Sequence, residues 1–334
     1  SPAPELSAPR RSTAESKAPC RADGSACSAA PNSSLKSTIS FYIITAMPNP
    51  NAWGSFKVKL LGRHKGSAWW ATLSPDGKLG ASGGQDGIVK LWELRSGRLA
   101  AELAGHESWV HQLAFSPDGR WLASAGGDER INLWEVKTKV WARTMRLSCH
   151  AFRSVAFHPK KPILAAGSDD GQVTLWRLDK DVPPLSLKGH KDLVKIVNYD
   201  EKGRLLASAS HDKTARLWHG ATGKPAGVLG PHPRAIECVA LSPDLKLAAT
   251  GCQDAKIYLW ALPSGKRLGV LKGHRQRMDS LCFVDRGARL VSGSLDGTVK
   301  VWDLQSRREI ASLVHKLGAK RPGIHSAELR KTTM

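Results

Sequence analysis

From about Phe56 onward, apolar and polar positions follow one recurring order. An apolar run ends in Ser-Pro-Asp-Gly or a variant, as at Leu73 to Gly77 and Phe115 to Gly119, and a short apolar strand such as Trp121 to Ser124 follows. Next come a tight turn around an Asp, a strand ending in Leu-Trp or Val-Trp, a Ser-Gly or Thr-Gly turn, and a last strand such as Arg98 to Leu103. Turn residues at these offsets between short apolar runs predict four antiparallel strands per copy. No apolar spacing of 3.6 residues, the mark of a helix, appears in the repeats.

The copies keep a fixed interval. Trp92, Trp134, Trp176, Trp218, Trp260 and Trp302 stand 42 residues apart, each preceded six residues earlier by Asp86, Asp128, Asp170, Asp212, Asp254 or Asp296. His64, His106, His190, His232 and His274 share that frame. A four-stranded unit cannot cover both of its own faces, so repeated units stack, and a period of about 40 to 45 residues suits sheets arranged around an axis.

The Gly-His pairs at Gly105-His106, Gly189-His190 and Gly273-His274, the Ser or Thr four residues before the Asp, and Trp302-Asp303 together resemble the WD40-repeat family of β-propellers. The resemblance covers residues 56–313 and implies an all-β propeller with six recognisable four-stranded repeats. Six sets of the first three strands accompany seven candidates for the fourth, from Phe56 to Leu61 through Arg308 to Leu313. That count fits either a six-bladed ring with a spare terminal strand or a seven-blade geometry with an incomplete closing blade; the resemblance favours the second, seven being the commonest number in proteins of this kind. Residues 1–55 are expected to be a disordered Ser/Ala/Pro-rich segment, too poor in apolar groups to offset chain entropy. Residues 314–334 are expected to be a basic tail, with Ile324 to Leu329 resembling the start of a further repeat.

The resemblance further implies that His, Ser/Thr, Asp and Trp of one copy form a buried hydrogen-bonded tetrad. The sets are His64, Ser82, Asp86 and Trp92; His106, Ser124, Asp128 and Trp134; His190, Ser208, Asp212 and Trp218; His232, Thr250, Asp254 and Trp260; and His274, Ser292, Asp296 and Trp302. Ser, His and Asp together would ordinarily suggest a nucleophile, but fivefold recurrence with Trp marks a structural device. The third copy departs: Ser148 and Ala166 replace the His and the Ser/Thr, and His150 is displaced by two residues. Asp170 and Trp176 then lack their usual partners, and this blade is expected to be the softest.

In this family three positions per copy point to the top rim. In register here they are Trp69, His111, Arg153, Lys195, Glu237 and Asp279; Ser67, Trp109, Ala151, Leu193, Ala235 and Arg277; and Gln85, Gly127, Asp169, His211, Gln253 and Leu295. Of these, Trp69, Trp109, His111, Arg153, Lys195 and Arg277 are the candidate partner-binding residues, with Trp69, Trp109 and His111 as the leading cluster, because aromatic groups with a polar handle anchor interfaces. Trp70 reads as packing: its equivalents Gln112, Ser154, Ile196, Cys238 and Ser280 are all smaller.

Equal spacing leaves no insertion for a lid, a metal cage or a substrate pocket. The chain also lacks a phosphate loop, a dinucleotide turn and a zinc-protease helix. No enzyme, cofactor, metal or small-molecule substrate is expected. Lys plus Arg number 50 against 29 Asp plus Glu, a net charge of +21, and residues 57–313 alone hold 40 basic and 25 acidic side chains. The last copy is notably basic, with Lys266, Arg267, Lys272, Arg275, Arg277, Arg286, Arg289, Arg307 and Arg308, although alternation along strands predicts that these scatter between faces. Six widely spaced cysteines without a CxxC pair suggest a reducing compartment, the cytoplasm or the nucleus. Ile39 to Met47 is the longest apolar run near the start and is too short to span a bilayer. The expected function is a protein-interaction scaffold working through a propeller rim with protein or peptide partners; the alternative is a nucleic-acid-associated propeller that takes RNA or another acidic partner on its basic surface.

Overall fold

In the computed structural model, residues 40–46, 56–147 and 150–314 are described. All of the described residues fall within one unit. The first complete sheet is a meander of β3 (Ala68–Leu73), β4 (Leu79–Gly84), β5 (Ile88–Glu93) and β6 (Leu99–Ala104). Five more sheets repeat it over residues 110–146, 152–187, 194–229, 236–272 and 278–314, each built from four consecutive antiparallel strands. No connection within or between these six sheets exceeds seven residues.

Two strands precede them. β1 (Ser40–Ala46) pairs with β2 (Phe56–Arg63) as a separate two-stranded sheet. The disorder expected throughout residues 1–55 therefore does not hold for 40–46, where the aromatic and β-branched run Phe41-Tyr42-Ile43-Ile44-Thr45 finds a partner in β2. Residues 1–39, 47–55 and 315–334, with the remainder of that expectation, the basic tail and the partial repeat, lie outside the described residues. The final strand, Arg308–Val314, completes the sixth sheet, so β2 is the extra member of the fourth-strand series. The two-stranded sheet meets the first complete one where Leu61 packs with Trp92.

The core lies between sheets. Val110, Phe152, Val194, Ile236 and Met278 open the first strands of successive sheets and are fully buried. Each reaches toward the second strand of the sheet before it, where small residues make room: Gly83 abuts Val110, Gly167 abuts Val194 and Gly251 abuts Met278. A side chain at Gly83 would overlap Val110, so close stacking depends on that missing Cβ. Five apolar clusters each join two neighbouring sheets, in the manner of a quasi-one-dimensional repeat array. Trp70 is the exception. It packs against the cluster of the first two sheets and also against the Ile196-containing cluster of the fourth and fifth.

Each sheet has two ends. At one end the first-to-second and third-to-fourth turns are tied by a backbone bond, as from Leu94 N–H to Lys78 O (2.9 Å), Val136 to Arg120 (2.9 Å) and Leu262 to Lys246 (2.8 Å). We call this the lower end. At the other, upper end, the turn after the second strand is tied to the entry of the first: Gln85 N–H donates to Ser67 O (2.8 Å), Gly127 to Trp109 (2.8 Å), Asp169 to Ala151 (3.0 Å), His211 to Leu193 (3.0 Å), Gln253 to Ala235 (3.0 Å) and Leu295 to Arg277 (3.1 Å). Two of the three rim positions are thus joined in every copy.

Candidate interaction rim and the tetrads that hold it

Four of the five expected tetrads close fully. In the first, the Trp92 indole N–H donates to Ser82 Oγ (2.9 Å), the Ser82 hydroxyl donates to His64 Nε2 (2.7 Å), and His64 Nδ1–H donates to Asp86 (2.9 Å). The Asp86 carboxylate also accepts the backbone N–H of Lys65 and Ile88, so the tetrad clamps the upper turns to the sheet interior. The second has the same bonds at 2.9, 2.7 and 2.9 Å, the fourth at 2.9, 2.8 and 2.8 Å, and the sixth at 2.8, 2.8 and 3.0 Å. Burial, opposed by the paired Asp, holds His64, His190 and His274 below the ordinary histidine range, which keeps them neutral and able to accept from the hydroxyl. Ser82, Ser124 and Ser208 are 0% exposed and shared between an indole and an imidazole. A hydroxyl so enclosed cannot meet a substrate.

The fifth copy corrects the expectation. His232 Nε2 accepts from Thr250 (2.7 Å) and Trp260 donates to Thr250 (2.9 Å), but His232 Nδ1 bonds the Lys213 carbonyl (3.2 Å) and not Asp254. The cause is Tyr258, which stands where the other copies have Lys, Asn, Thr or Arg: its hydroxyl donates to Asp254 at 2.7 Å, and its ring meets His232 edge-on at 5.0 Å. Burial, outweighing the carbonyl bond, takes His232 down to about 4.

The third copy also differs from expectation, because Asp170 and Trp176 find substitutes. Asp170 accepts from Ser168 (2.5 Å) and from the Gln172 amide (2.7 Å), and the Trp176 indole N–H donates to Thr174 Oγ1 (3.0 Å). His150 Nε2 is 3.9 Å from Asp170, beyond hydrogen-bond reach.

At the upper rim the structure gathers the residues read from the register. Trp69 and Trp109 stack with centroids 5.7 Å apart and planes at 18°, and His111 meets Trp109 edge-on at 6.3 Å. Trp109 is 42% exposed, a large apolar surface left open to solvent. Arg153 Nη1–H donates to His111 Nε2 (3.3 Å), and the rest of its guanidinium forks onto Asp169. Burial and the neighbouring charges of Arg153 and Lys195 take His111 down to about 4, so it accepts this bond as a neutral ring.

Across the rim, Lys195 Nζ lies 3.7 Å from Glu237, His211 Nε2 lies 3.3 Å from it, and Gln253 donates to it at 2.7 Å. Arg277 lies 3.6 Å from Asp279. The two buried carboxyls behave oppositely. Burial opposes ionisation of Glu237, but the bonds from His211 and Gln253 with the fields of Lys195 and Arg277 outweigh it and hold the group at about 2. Asp279 is pushed up to about 7, because burial and the negative field of Glu237 outweigh Arg277 and Lys195. The candidate set of aromatic and basic residues is therefore incomplete: Glu237 and Asp279 are as central, and their register position was the available signal. Of the basic run of the last copy, Arg275 and Arg277 lie in a connection at the upper end and Lys266, Arg286 and Arg307 in turns at the lower. Among the described residues no group of three or more His, Cys, Asp or Glu is placed to hold a metal ion.

Six stacked four-stranded sheets, four of them tied internally by indole, hydroxyl, imidazole and carboxylate, define a repeat β-propeller. The WD domain, G-beta repeat family matches residues 56–93, 97–135, 141–177, 182–219, 223–261 and 265–303, and the chain belongs to this family. Among curated relatives it is similar to WD repeat-containing protein 86 of Homo sapiens, at 39% identity over 57 residues, which is 17% of this chain and 15% of that protein. It is also similar to an uncharacterized WD repeat-containing protein of Nostoc sp., at 46% identity over 46 residues, 14% of this chain and 3% of that protein. The matched stretches are thus a small part of either relative.

Proposed function

We propose that this protein is a non-catalytic scaffold that assembles a multiprotein complex, taking a protein or peptide partner on its upper rim. The observation that carries the reading is the Trp69–Trp109 stack, with Trp109 held 42% exposed beside a ring of ordered charge. Apolar rings fixed in place before binding lose little entropy on contact, and such residues dominate interface energies. Arg153 is held by the Asp169 carboxylate, so it offers an oriented donor rather than loose charge, and Lys195 and Arg277 lie 3.7 and 3.6 Å from Glu237 and Asp279. A scaffold role also fits the Ser-His-Asp sets, whose hydroxyls are sealed inside the sheets. The thiols of Cys238 and Cys252, free and pushed upward by burial, suit a reducing compartment such as the cytoplasm or nucleus.

The test replaces Trp69 and Trp109 with Ala together and compares the proteins that co-purify with wild type and variant. Loss of one or more partners from a folded variant, with affinity down by at least about 2 kcal/mol, is expected. An unchanged partner set would remove the rim from consideration.

A further inference from the structure

Charge is sorted between the two ends of the propeller. The twelve lower turns of the six complete sheets carry sixteen Lys and Arg against eight Asp and Glu, and every one of the twelve has at least one cation. The upper connections carry seven against ten. The excess of positive charge on the connections thus has a definite side, the one away from Trp109.

The turns that carry these cations adjoin one another. Turns of neighbouring sheets touch: Gly119 lies against Pro75, Gly203 against His158, and Gly287 against Pro243. Lys139 Nζ donates to Ala100 O (3.0 Å) and Arg307 Nη1 to Leu268 O (2.9 Å), each bridging to the preceding sheet. Lys78, Arg120, Arg204 and Lys246 recur in the 42-residue frame, immediately before a second strand. The side chains of the first three are 82%, 62% and 52% exposed, with carboxylate contacts no closer than 3.5 Å. The exposed Lys78–Asp76 pair gives up its partner at little cost, whereas Arg204 faces the buried Asp200. Asp76, Asp118 and Asp244, the acids of three of these turns, are occupied by a Ser hydroxyl and a backbone N–H of their own turn.

We infer that this lower face binds the phosphate backbone of a nucleic-acid duplex. Dispersed cations with no focal cluster suit a partner that presents charge at regular intervals over the whole surface, not a single phosphate. None of the twelve turns contains Phe, Tyr or Trp; beside them Trp121 lies under the Arg120 guanidinium and Trp141 is 54% exposed, and one open ring is not the row of stacking platforms that successive unpaired bases require, which favours a duplex over a single strand. Each cation that meets a phosphate releases counterions, so binding falls with salt along a slope of about 0.9 per contact on duplex DNA. Binding here involves the face opposite the Trp69–Trp109 rim and is independent of the rim's role.

Fluorescence anisotropy of the full chain with labelled DNA and RNA duplexes of about 25 base pairs tests this, with single strands and phosphatidylserine vesicles as competitors. With four contacts, affinity is expected to fall roughly a hundredfold between about 50 and 200 mM salt. The variant Lys78→Gln, Arg120→Gln, Arg204→Gln and Lys246→Gln, which keeps polar side chains of moderate length, is expected to lower affinity at least about tenfold at the lower salt and to flatten the slope. The pairs Lys78→Gln with Arg120→Gln and Arg204→Gln with Lys246→Gln each give about half that flattening, which guards against a folding defect in the fourfold variant. The upper-end variant Lys188→Gln, Lys191→Gln and Arg275→Gln is expected to bind as wild type. No duplex binding at low salt, an equal loss in the upper-end variant, or preference for single strands or vesicles would each overturn the inference.

Discussion

Ser208→Ala is the most direct probe of how a blade is held. The Ser208 oxygen accepts the Trp218 indole N–H at 2.9 Å and contacts His190 Nε2 at 2.8 Å, and the residue is 0% exposed. Removing it changes volume little but leaves two buried polar groups unpartnered, at about 1–3 kcal/mol each, so a loss of about 2–6 kcal/mol is expected. The fifth copy performs the same task with Thr250, so Ser208→Thr should recover most of the loss. By contrast, Ala166→Ser in the third copy should gain under about 1 kcal/mol, because Trp176 already donates to Thr174 and the displaced His150, 3.9 Å from Asp170, makes no hydrogen bond that would complete the set. Urea unfolding measures the totals, and hydrogen exchange localises them, with faster exchange expected across residues 194–229. A change below about 0.5 kcal/mol for Ser208→Ala, or an equal gain from Ala166→Ser, would refute the view that the hydroxyl is the node of the tetrad.

Two other outcomes are expected. Trp70→Ser, which installs the small residue found at Ser154 and Ser280, should cost about 2–4 kcal/mol in urea unfolding because it withdraws a ring packed on two distant clusters; a loss under about 1 kcal/mol would mean that the ring contributes little to packing. Asp279→Asn should stabilise the protein by roughly 2–4 kcal/mol at pH 8 and by nothing below about pH 4. The folded state holds a proton on Asp279 up to about pH 7 that the unfolded chain sheds near 4, so wild-type stability falls as pH rises through that window; a difference constant with pH would exclude this origin.

Much of the architecture was readable from indole spacing alone, because a strand-ending Trp recurring every 42 residues leaves few ways to place the intervening apolar runs. The features that escaped depend on neighbours. His232 keeps the 42-residue frame of its equivalents, yet Tyr258 removes its carboxylate. Asp170 lost its expected partners but kept company through Gln172 and Ser168, side chains outside the recurring set. β1 was hidden inside a polar segment because a lone apolar run has no visible mate until β2 is seen to be spare. The rim positions were legible as a register, whereas the opposite behaviour of Glu237 and Asp279 follows from which cations lie beside each.

The brevity of the connections has a further consequence for recognition. With no more than seven residues between consecutive strands of the six complete sheets, none of those connections is long enough to fold over a bound molecule. Retention must then come from many modest anchors engaged at once, so a truncated partner that reaches only some of them should dissociate disproportionately fast, each lost anchor multiplying the rate of escape. Length and valency of the partner, more than the fit of any one group, would decide who stays.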